Sequence, residues 1–321
     1  MKKNKFGFLL AEIVLLLAAI FCIHKIFAEG EPQQRVAVIV PSSGQSGWDA
    51  MINGMKDAAT QENIHMVICN TDEIPSASDQ KALIEEQMEN DIDAFIICPA
   101  QGDDTAEMLS DTLGEIPYIL VTEETYGESE SPKKAACVSC DNYRLGSNIA
   151  AKLLEDIGEE KDVSVGIVAA KEKTEGAAMR MQGACDMLVN EGISPAWHFY
   201  QSDEADVCNQ VYVRMPVDYI ISLDSVMLDT LGENAQGETL HGAMIYGVGS
   251  SKESISLLDQ GKVQALVVPD GYGIGYESVK QIAAKLENAG YTMENVTVSQ
   301  QILSKEDVFT KDLERYLYAY E

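Results

Sequence analysis

Positive charge is what this 321-residue chain has least of. Lysine and arginine number 23 against 52 aspartates and glutamates, a formal net charge of −29. Residues 1–27 hold Lys2, Lys3, Lys5 and Lys25 against Glu12; beyond them 19 basic residues face 51 acidic ones, a net −32. A field of that sign repels phosphate backbones and anionic headgroups. It argues against a nucleic-acid partner and against docking of the folded part onto a lipid surface. Histidine is scarce as well: His24, His65, His198 and His241 are scattered, with no metal-ligand spacing. There is no GK[ST] phosphate loop and no G-x-S-x-G nucleophile elbow. Gly271-Tyr272-Gly273-Ile274-Gly275 approaches a dinucleotide fingerprint, but Tyr276 stands where the third glycine belongs and no acidic strand end follows at the required distance. It reads as a flexible strand-to-helix crossover. The expectation is therefore no cofactor, no metal and no enzyme.

What the chain does have is apolar material. Hydrophobic residues make up 46%, enough for a real core. Met1–Lys5 is basic, Phe6–Ile23 is almost wholly apolar, and Phe6–Phe27 spans 22 residues. As a helix it would span about 33 Å at roughly 1.5 Å per residue, sufficient to cross a bilayer. Residues 1–27 are expected to be a membrane anchor with its basic tip in the cytoplasm, so that the acidic remainder lies outside. The alternative is a secretory signal cleaved after Ile26-Phe27-Ala28, although His24 and Lys25 fit that reading poorly. Residues 28–34 then form a polar linker.

An extracytoplasmic location admits disulfides among Cys69, Cys98, Cys137, Cys140, Cys185 and Cys208. Four of the six end apolar strand-like runs, and buried free thiols explain them as well as bridges do. Cys137-Val-Ser-Cys140 has CxxC spacing. On a strand that odd spacing sends the two side chains to opposite faces, which argues against a redox or zinc role.

From Arg35 onward, short apolar runs alternate with amphipathic stretches. The runs are 36–40, 65–69, 94–98, 118–121, 136–140, 163–169, 197–200, 219–222, 244–248, 263–268 and 296–303. The helical stretches are 51–61, 79–90, 104–113, 145–157, 176–191, 225–232, 252–261 and 273–289. Continuous rather than alternating apolar runs indicate strands buried on both faces. Strands alternating with helices indicate parallel sheets. Eleven strands are too many for one open sheet and divide near Asp141-Asn142. The expected fold is α/β, with two doubly wound parallel-sheet lobes and a cleft at the carboxyl ends of the strands.

At this point the sequence resembles the type I periplasmic binding proteins, the ribose- and galactose-binding-like solute receptors. The resemblance runs from Arg35 to about Leu303 and rests on ordered blocks. Val36–Pro41 followed by Trp48–Met55 resembles the opening strand, aromatic ligand loop and first helix. Asp91–Ala100 resembles "GVDAIIINP", Glu115–Val121 resembles "GIPVVTI", and Val138–Gly146 resembles "VGSDNYxxG". Met179–Gly183 resembles "xRxxGF"; Tyr219–Leu231 and Ile245–Leu258 resemble "IFAxND" and "VVGFDxxxxALxxI". The lac-repressor-like regulators share this fold, but a membrane segment stands where their DNA-binding headpiece would be. The resemblance implies a three-crossover hinge near 140–142, 268–270 and 296–300. It also implies an N-terminal lobe of 35–140 plus 270–298 and a C-terminal lobe of 141–269 plus 299–321.

It further implies ligand positions. Trp48 falls where the family has a stacking aromatic, or else it is a core residue of the first helical turn. Gln45 matches a hydroxyl-binding position, or is a turn residue. Arg180 is the best single match, with a surface ion pair as the alternative. After Val121 the sugar-binding members have Asp-Arg; this chain has Thr122-Glu123, so the cation is missing. Near Ser222 it has Leu223-Asp224 for Asn-Asp, it has Val248-Gly249, followed by Ser250, for Phe-Asp, and Pro269-Asp270 replaces the usual Gln. Thr122, Glu123, Asp224, Ser250 and Asp270 complete the candidate set, solvated loop acids being the alternative for the carboxylates. Sugars are held by aromatic faces and by charged groups bonding to hydroxyls. These departures put standard pentose recognition in doubt.

The expected function is an extracytoplasmic solute-binding receptor that closes over a small polar, sugar-like ligand for ABC-type import through a membrane permease. The alternative is an anchored ligand sensor that reports to a membrane sensor kinase; an α/β enzyme stands behind both. The last stretch, 307–321, reads as an aromatic amphipathic helix packed on the second lobe.

Overall fold

A computed structural model describes residues 15–16, 33–127, 135–159, 162–170, 172–201 and 203–307. The chain divides into two compact units, residues 1–34 and 35–321. The anchor expected over 1–27 lies outside the described residues apart from Leu15 and Leu16, as does the helix expected over 307–321 apart from Asp307. Among the described residues no helix is long and apolar enough to cross a membrane.

From Arg35 the chain builds two six-stranded sheets. The first holds β1 (Arg35–Ile39), β2 (His65–Ile68), β3 (Ala94–Ile97), β4 (Tyr118–Val121), β5 (Cys137–Cys140) and β11 (Val296–Val298), in the order β2-β1-β3-β4-β5-β11. The second holds β6 (Val165–Ala169), β7 (Trp197–Tyr200), β8 (Tyr219–Ser222), β9 (Met244–Val248), β10 (Val263–Pro269) and β12 (Gln300–Ser304), in the order β7-β6-β8-β9-β10-β12. The two orders correspond strand for strand. All pairs are parallel except β10 with β12, which is antiparallel.

The inner strands alternate between two packed faces, which is why their runs are continuously apolar. In β3, Ala94 and Ile96 enter one core cluster while Phe95 and Ile97 enter another. The CxxC behaves likewise: Cys140 lies in the first cluster and Cys137 in the second, and both are buried free thiols. The six described cysteines are thiols, none of them in a disulfide.

Among the described residues nine α-helices connect the strands: α1 (Asp49–Gln61), α2 (Ala77–Met88), α3 (Thr105–Leu113), α4 (Asn142–Ile157), α5 (Glu175–Asn190), α6 (Val207–Tyr212), α7 (Ser225–Glu233), α8 (Lys252–Asp259) and α9 (Gly271–Glu287). Short α6 was not separable from loop by periodicity. Two helix pairs pack unusually closely, α1 on α9 and α4 on α5. Glycine makes each approach possible. A Cβ on Gly275 would collide with the Met51 carbonyl, and one on Gly146 with the Arg180 carbonyl. The glycines of the Gly271–Gly275 run thus serve helix packing and the helix start rather than a nucleotide.

The chain passes between the sheets three times. After β5, Asp141 accepts from the Arg144 amide and starts α4, which packs on β9 and β10. After β10, Asp270 starts α9, which packs on α1 and on β3–β5. The third passage is at Ser299. The single strand expected over 296–303 is here corrected to two, β11 in the first sheet and β12 in the second. One apolar run serves two sheets because the crossing takes only one residue, too short to break the sequence pattern.

Candidate functional site

One cavity of about 710 Å³ lies between the two sheets, within the size range of small-molecule sites. Its wall is made by the carboxyl ends of strands from both lobes. Pro41 and Ser42 follow β1, Cys98–Gln101 follow β3, and Thr122 and Glu123 follow β4. From the second lobe come Ala170, Leu223–Met227 and Val248–Ser250, with Pro269 at the end of β10. Ligand sites at this end of doubly wound sheets follow from the topology, because the loops diverge where the strand order reverses.

Seven of the eight candidate residues line this cavity: Gln45, Trp48, Thr122, Glu123, Arg180, Asp224 and Ser250. Trp48 closes a 3-10 turn over Ser46–Trp48 and precedes α1. Its indole N–H donates to the Pro41 carbonyl at 2.9 Å, so the ring is fixed while it lines the cavity and packs against the core. The core packing considered for it is present, and the ring also borders the cavity. Gln45 is exposed, and its carbonyl accepts from the Trp48 amide at 3.2 Å.

Arg180 sits on α5, half-buried. Its Nη1 donates to Asn142 Oδ1 at 2.6 Å, and its buried Nε has no partner. The helix crossing fixes this side chain, because α5 lies against Gly146 of α4 at the Arg180 backbone. Asn142 also donates through Nδ2 to the Thr122 carbonyl at 3.1 Å. Asn142 lines the cavity and ties the loop after β4 to the cation, a role that sequence reading missed. The available signal was its place directly after Asp141, at the start of the helix that follows β5.

Thr122 adopts φ +70°, which is unfavourable for a β-branched residue. It is held there by its amide donating to the Val138 carbonyl at 3.0 Å and by the Asn142 bond. Strain of this kind persists only where neighbours over-determine it. The consequence is the direction of the next residue. Glu123 reaches across to the other lobe, where its Oε2 accepts from the Gly176 amide at 2.6 Å in the first turn of α5. The Glu124 amide donates to the Glu175 carboxylate in return. Burial, with Glu123 and Glu124 adding their charge, raises the pKa of Glu175 above its ordinary value.

Asp224 and Asp270 are helix caps rather than solvated loop acids. Asp224 accepts from the Met227 amide at 3.0 Å, starting α7, and its other oxygen accepts from the Ala170 amide at 2.5 Å. It lines the cavity while pinning the loop after β6. Asp270 is 3% exposed, accepts from the Gly273 amide at 2.9 Å, and is not among the cavity-lining residues, unlike its neighbours Pro269 and Gly271. The Asp-Ser and Asp-Gly pairs at these helix starts are N-cap signals that solvated-loop reasoning overlooked. Ser250 is held by its amide donating to Ser225 Oγ at 3.1 Å, and its hydroxyl donates across the cleft to the Gly47 carbonyl at 3.4 Å.

Two thiols also line the cavity, Cys98 and Cys140. Cys98 Sγ lies 3.4 Å from Thr122 Oγ1. Cys140 donates to the Ser299 carbonyl at 3.2 Å, and burial pushes its pKa up to about 12, so it is a neutral packing thiol at ordinary pH.

Cross-cleft contacts form two rims. On one, Lys252 Nζ meets Asp49 Oδ2 at 2.8 Å beside the Ser250–Gly47 bond. On the other, Lys173 Nζ meets Asp103 Oδ2 at 3.3 Å and its carbonyl accepts from the Gly102 amide at 3.0 Å.

A two-lobed cleft of this design is shared with known proteins. The sequence profile of the periplasmic binding protein domain matches residues 36–290, and the chain belongs to that family. Among solved structures it is similar to an ABC transporter solute binding protein from Agrobacterium vitis bound with α-D-tagatopyranose. The TM-score is 0.79 at 17% identity, covering 90% of this chain and 100% of that one. It is also similar to a carbohydrate transporter solute binding protein from Agrobacterium radiobacter in complex with D-arabinose, with a TM-score of 0.77 at 15% identity, covering 90% and 100%. A chain of a XylFII–LytSN complex matches with a TM-score of 0.72 at 14% identity, covering 86% and 99%. At these identities the likeness is one of fold. No curated protein matches the sequence.

Proposed function

We propose that this protein is an extracytoplasmic solute-binding receptor that closes over a small polar, sugar-like ligand without chemical turnover and delivers it to an ABC-type membrane permease. The observation that carries this reading is the cavity walled by both lobes, with an aromatic face at Trp48 and a cation with an unpartnered Nε at Arg180. A ligand touching both walls binds the closed arrangement better than the open one, and so shifts the population toward it. The three passages at 140–142, 268–270 and 296–300 act as the hinge between an N-terminal lobe of 35–140 plus 270–298 and a C-terminal lobe of 141–269 plus 299–321. Residues 1–27 anchor the chain in the membrane, or are removed as a signal; 28–34 are the linker.

Calorimetry or thermal shift against monosaccharides, polyols and nucleosides tests the reading. At least one class is expected to stabilise the protein at millimolar concentration, and stabilisation by none of them would count decisively against it. A second reading, an anchored sensor coupled to a membrane kinase, is favoured by the fold's likeness to a chain of a two-protein complex. Gene neighbourhood separates the two: a permease and ATPase beside this gene support import, a kinase gene supports sensing.

A further inference from the structure

The first turn of α5 is a site built to hold a carboxylate, and it already holds one. Helix N-termini carry unpaired amides and a partial positive charge. Here the Gly176 amide donates to Glu123 Oε2 at 2.6 Å, from the opposite lobe. A Cβ at position 176 would lie 2.5 Å from that oxygen, 3.0 Å from Arg180 Nη1 and 3.2 Å from Asn142 Oδ1. Glycine is therefore what allows carboxylate, guanidinium and amide to meet at one point. Thr174, which caps the helix, and Arg180, Asn142 and Glu123 all border the cavity. The other cavity acids are placed elsewhere. Asp224 is engaged by the Ala170 and Met227 amides, and Glu73 and Asp203 are exposed.

We propose that Glu123 is the residue that restricts the cavity to uncharged ligands, by filling the α5 N-terminus with the protein's own carboxylate as the lobes close. The inference rests on the sugar-receptor reading above and adds to it a ligand class, neutral sugars or polyols rather than sugar acids. An acidic sugar entering beside Arg180 meets Glu123 at the one place where its charge would be met by a helix terminus and a cation. Like charges this close in a half-buried site are strongly disfavoured. A neutral hydroxyl meets no such penalty and can donate to Glu123.

The test pairs neutral sugars with their uronates, D-glucose with D-glucuronate and D-galactose with D-galacturonate, added to the full-length protein in detergent. Thermal shift and calorimetry are run on wild type, Glu123→Gln and Glu123→Ala, with circular dichroism to verify folding. A neutral sugar is expected to stabilise wild type at least about tenfold better in Kd than its uronate, and Glu123→Ala is expected to gain uronate binding by a comparable factor. Glu123→Gln keeps the shape and loses the charge, so it reports the same gain if the alanine variant folds poorly. Uronates binding wild type as well as the neutral sugars, or no gain of uronate binding in either folded variant, overturns the inference and leaves the receptor reading standing. If neither these sugars nor any member of the monosaccharide, polyol and nucleoside set binds any of the three proteins, the receptor reading fails and this inference falls with it.

Discussion

At the scale of single residues, the cavity depends on side chains whose positions are already paid for by the protein. Arg180 is held by Asn142 and Trp48 by the Pro41 carbonyl, so little ordering remains when a ligand arrives. Arg180→Ala is expected to weaken binding of the ligand found by screening by about tenfold to a hundredfold, the loss of a charged hydrogen-bonding group, as read by calorimetry. Trp48→Ala should act in the same direction; unchanged affinity in both would refute this placement of the site. Glu175 yields a pH prediction. Its folded-state pKa is raised, first by burial and then by Glu123 and Glu124. Stability from the neutral form is therefore full below the unfolded value and is lost as pH rises through the raised one. Glu175→Gln escapes that loss while keeping an acceptor for the Glu124 amide. The variant should melt higher than wild type at pH 7 and lose that advantage near pH 4; a constant difference across the range would contradict the assignment. Of the candidate set, Trp48 and Arg180 were legible because residue type and place in a block coincide. Asn142 and the capping of Asp224 and Asp270 were not, since an Asp or Asn after a strand reads alike whether it meets a ligand, solvent or a helix end.

At the scale of elements, the two glycine-mediated crossings carry the site. Gly146 lets α4 approach α5 at the Arg180 backbone, and Gly275 lets α9 approach α1 near Met51, a residue that also lines the cavity. Gly146→Ala is expected to destabilise by about 1–3 kcal/mol through overpacking and to weaken ligand binding as α5 shifts. Urea denaturation and calorimetry measure the two effects; retention of wild-type stability would show that the helices can part without cost. Strands and helices were largely readable from periodicity, because strands buried on both faces and amphipathic helices leave opposite patterns. The run over 296–303 was read as one strand because hydrophobicity reports burial and not which sheet does the burying.

At the scale of the whole molecule, closure is supported by contacts at both rims. The Asp49–Lys252 and Asp103–Lys173 pairs are partly exposed, so each contributes only about 0–1 kcal/mol and is screened by salt. Replacing Lys173 and Lys252 together by alanine is expected to weaken ligand binding less than about tenfold and to reduce its salt dependence. Calorimetry at low and high ionic strength checks this; an undiminished salt slope would place the electrostatic contribution elsewhere. A net charge of −29 repels polyanions, but it selects no ligand.

The amino-acid sequence by itself determined the alternation of strand and helix, the division into two lobes and the family. Each follows from local periodicity and from short blocks whose order survives in one chain. Only the tertiary structure decided that Glu123 meets Gly176, that Asn142 holds Arg180, and that Asp270 caps a helix without lining the cavity. The first two join residues 53 and 38 positions apart. Such contacts exist only when closely packed helices and a closed cleft bring distant loops together, and no local pattern encodes that geometry.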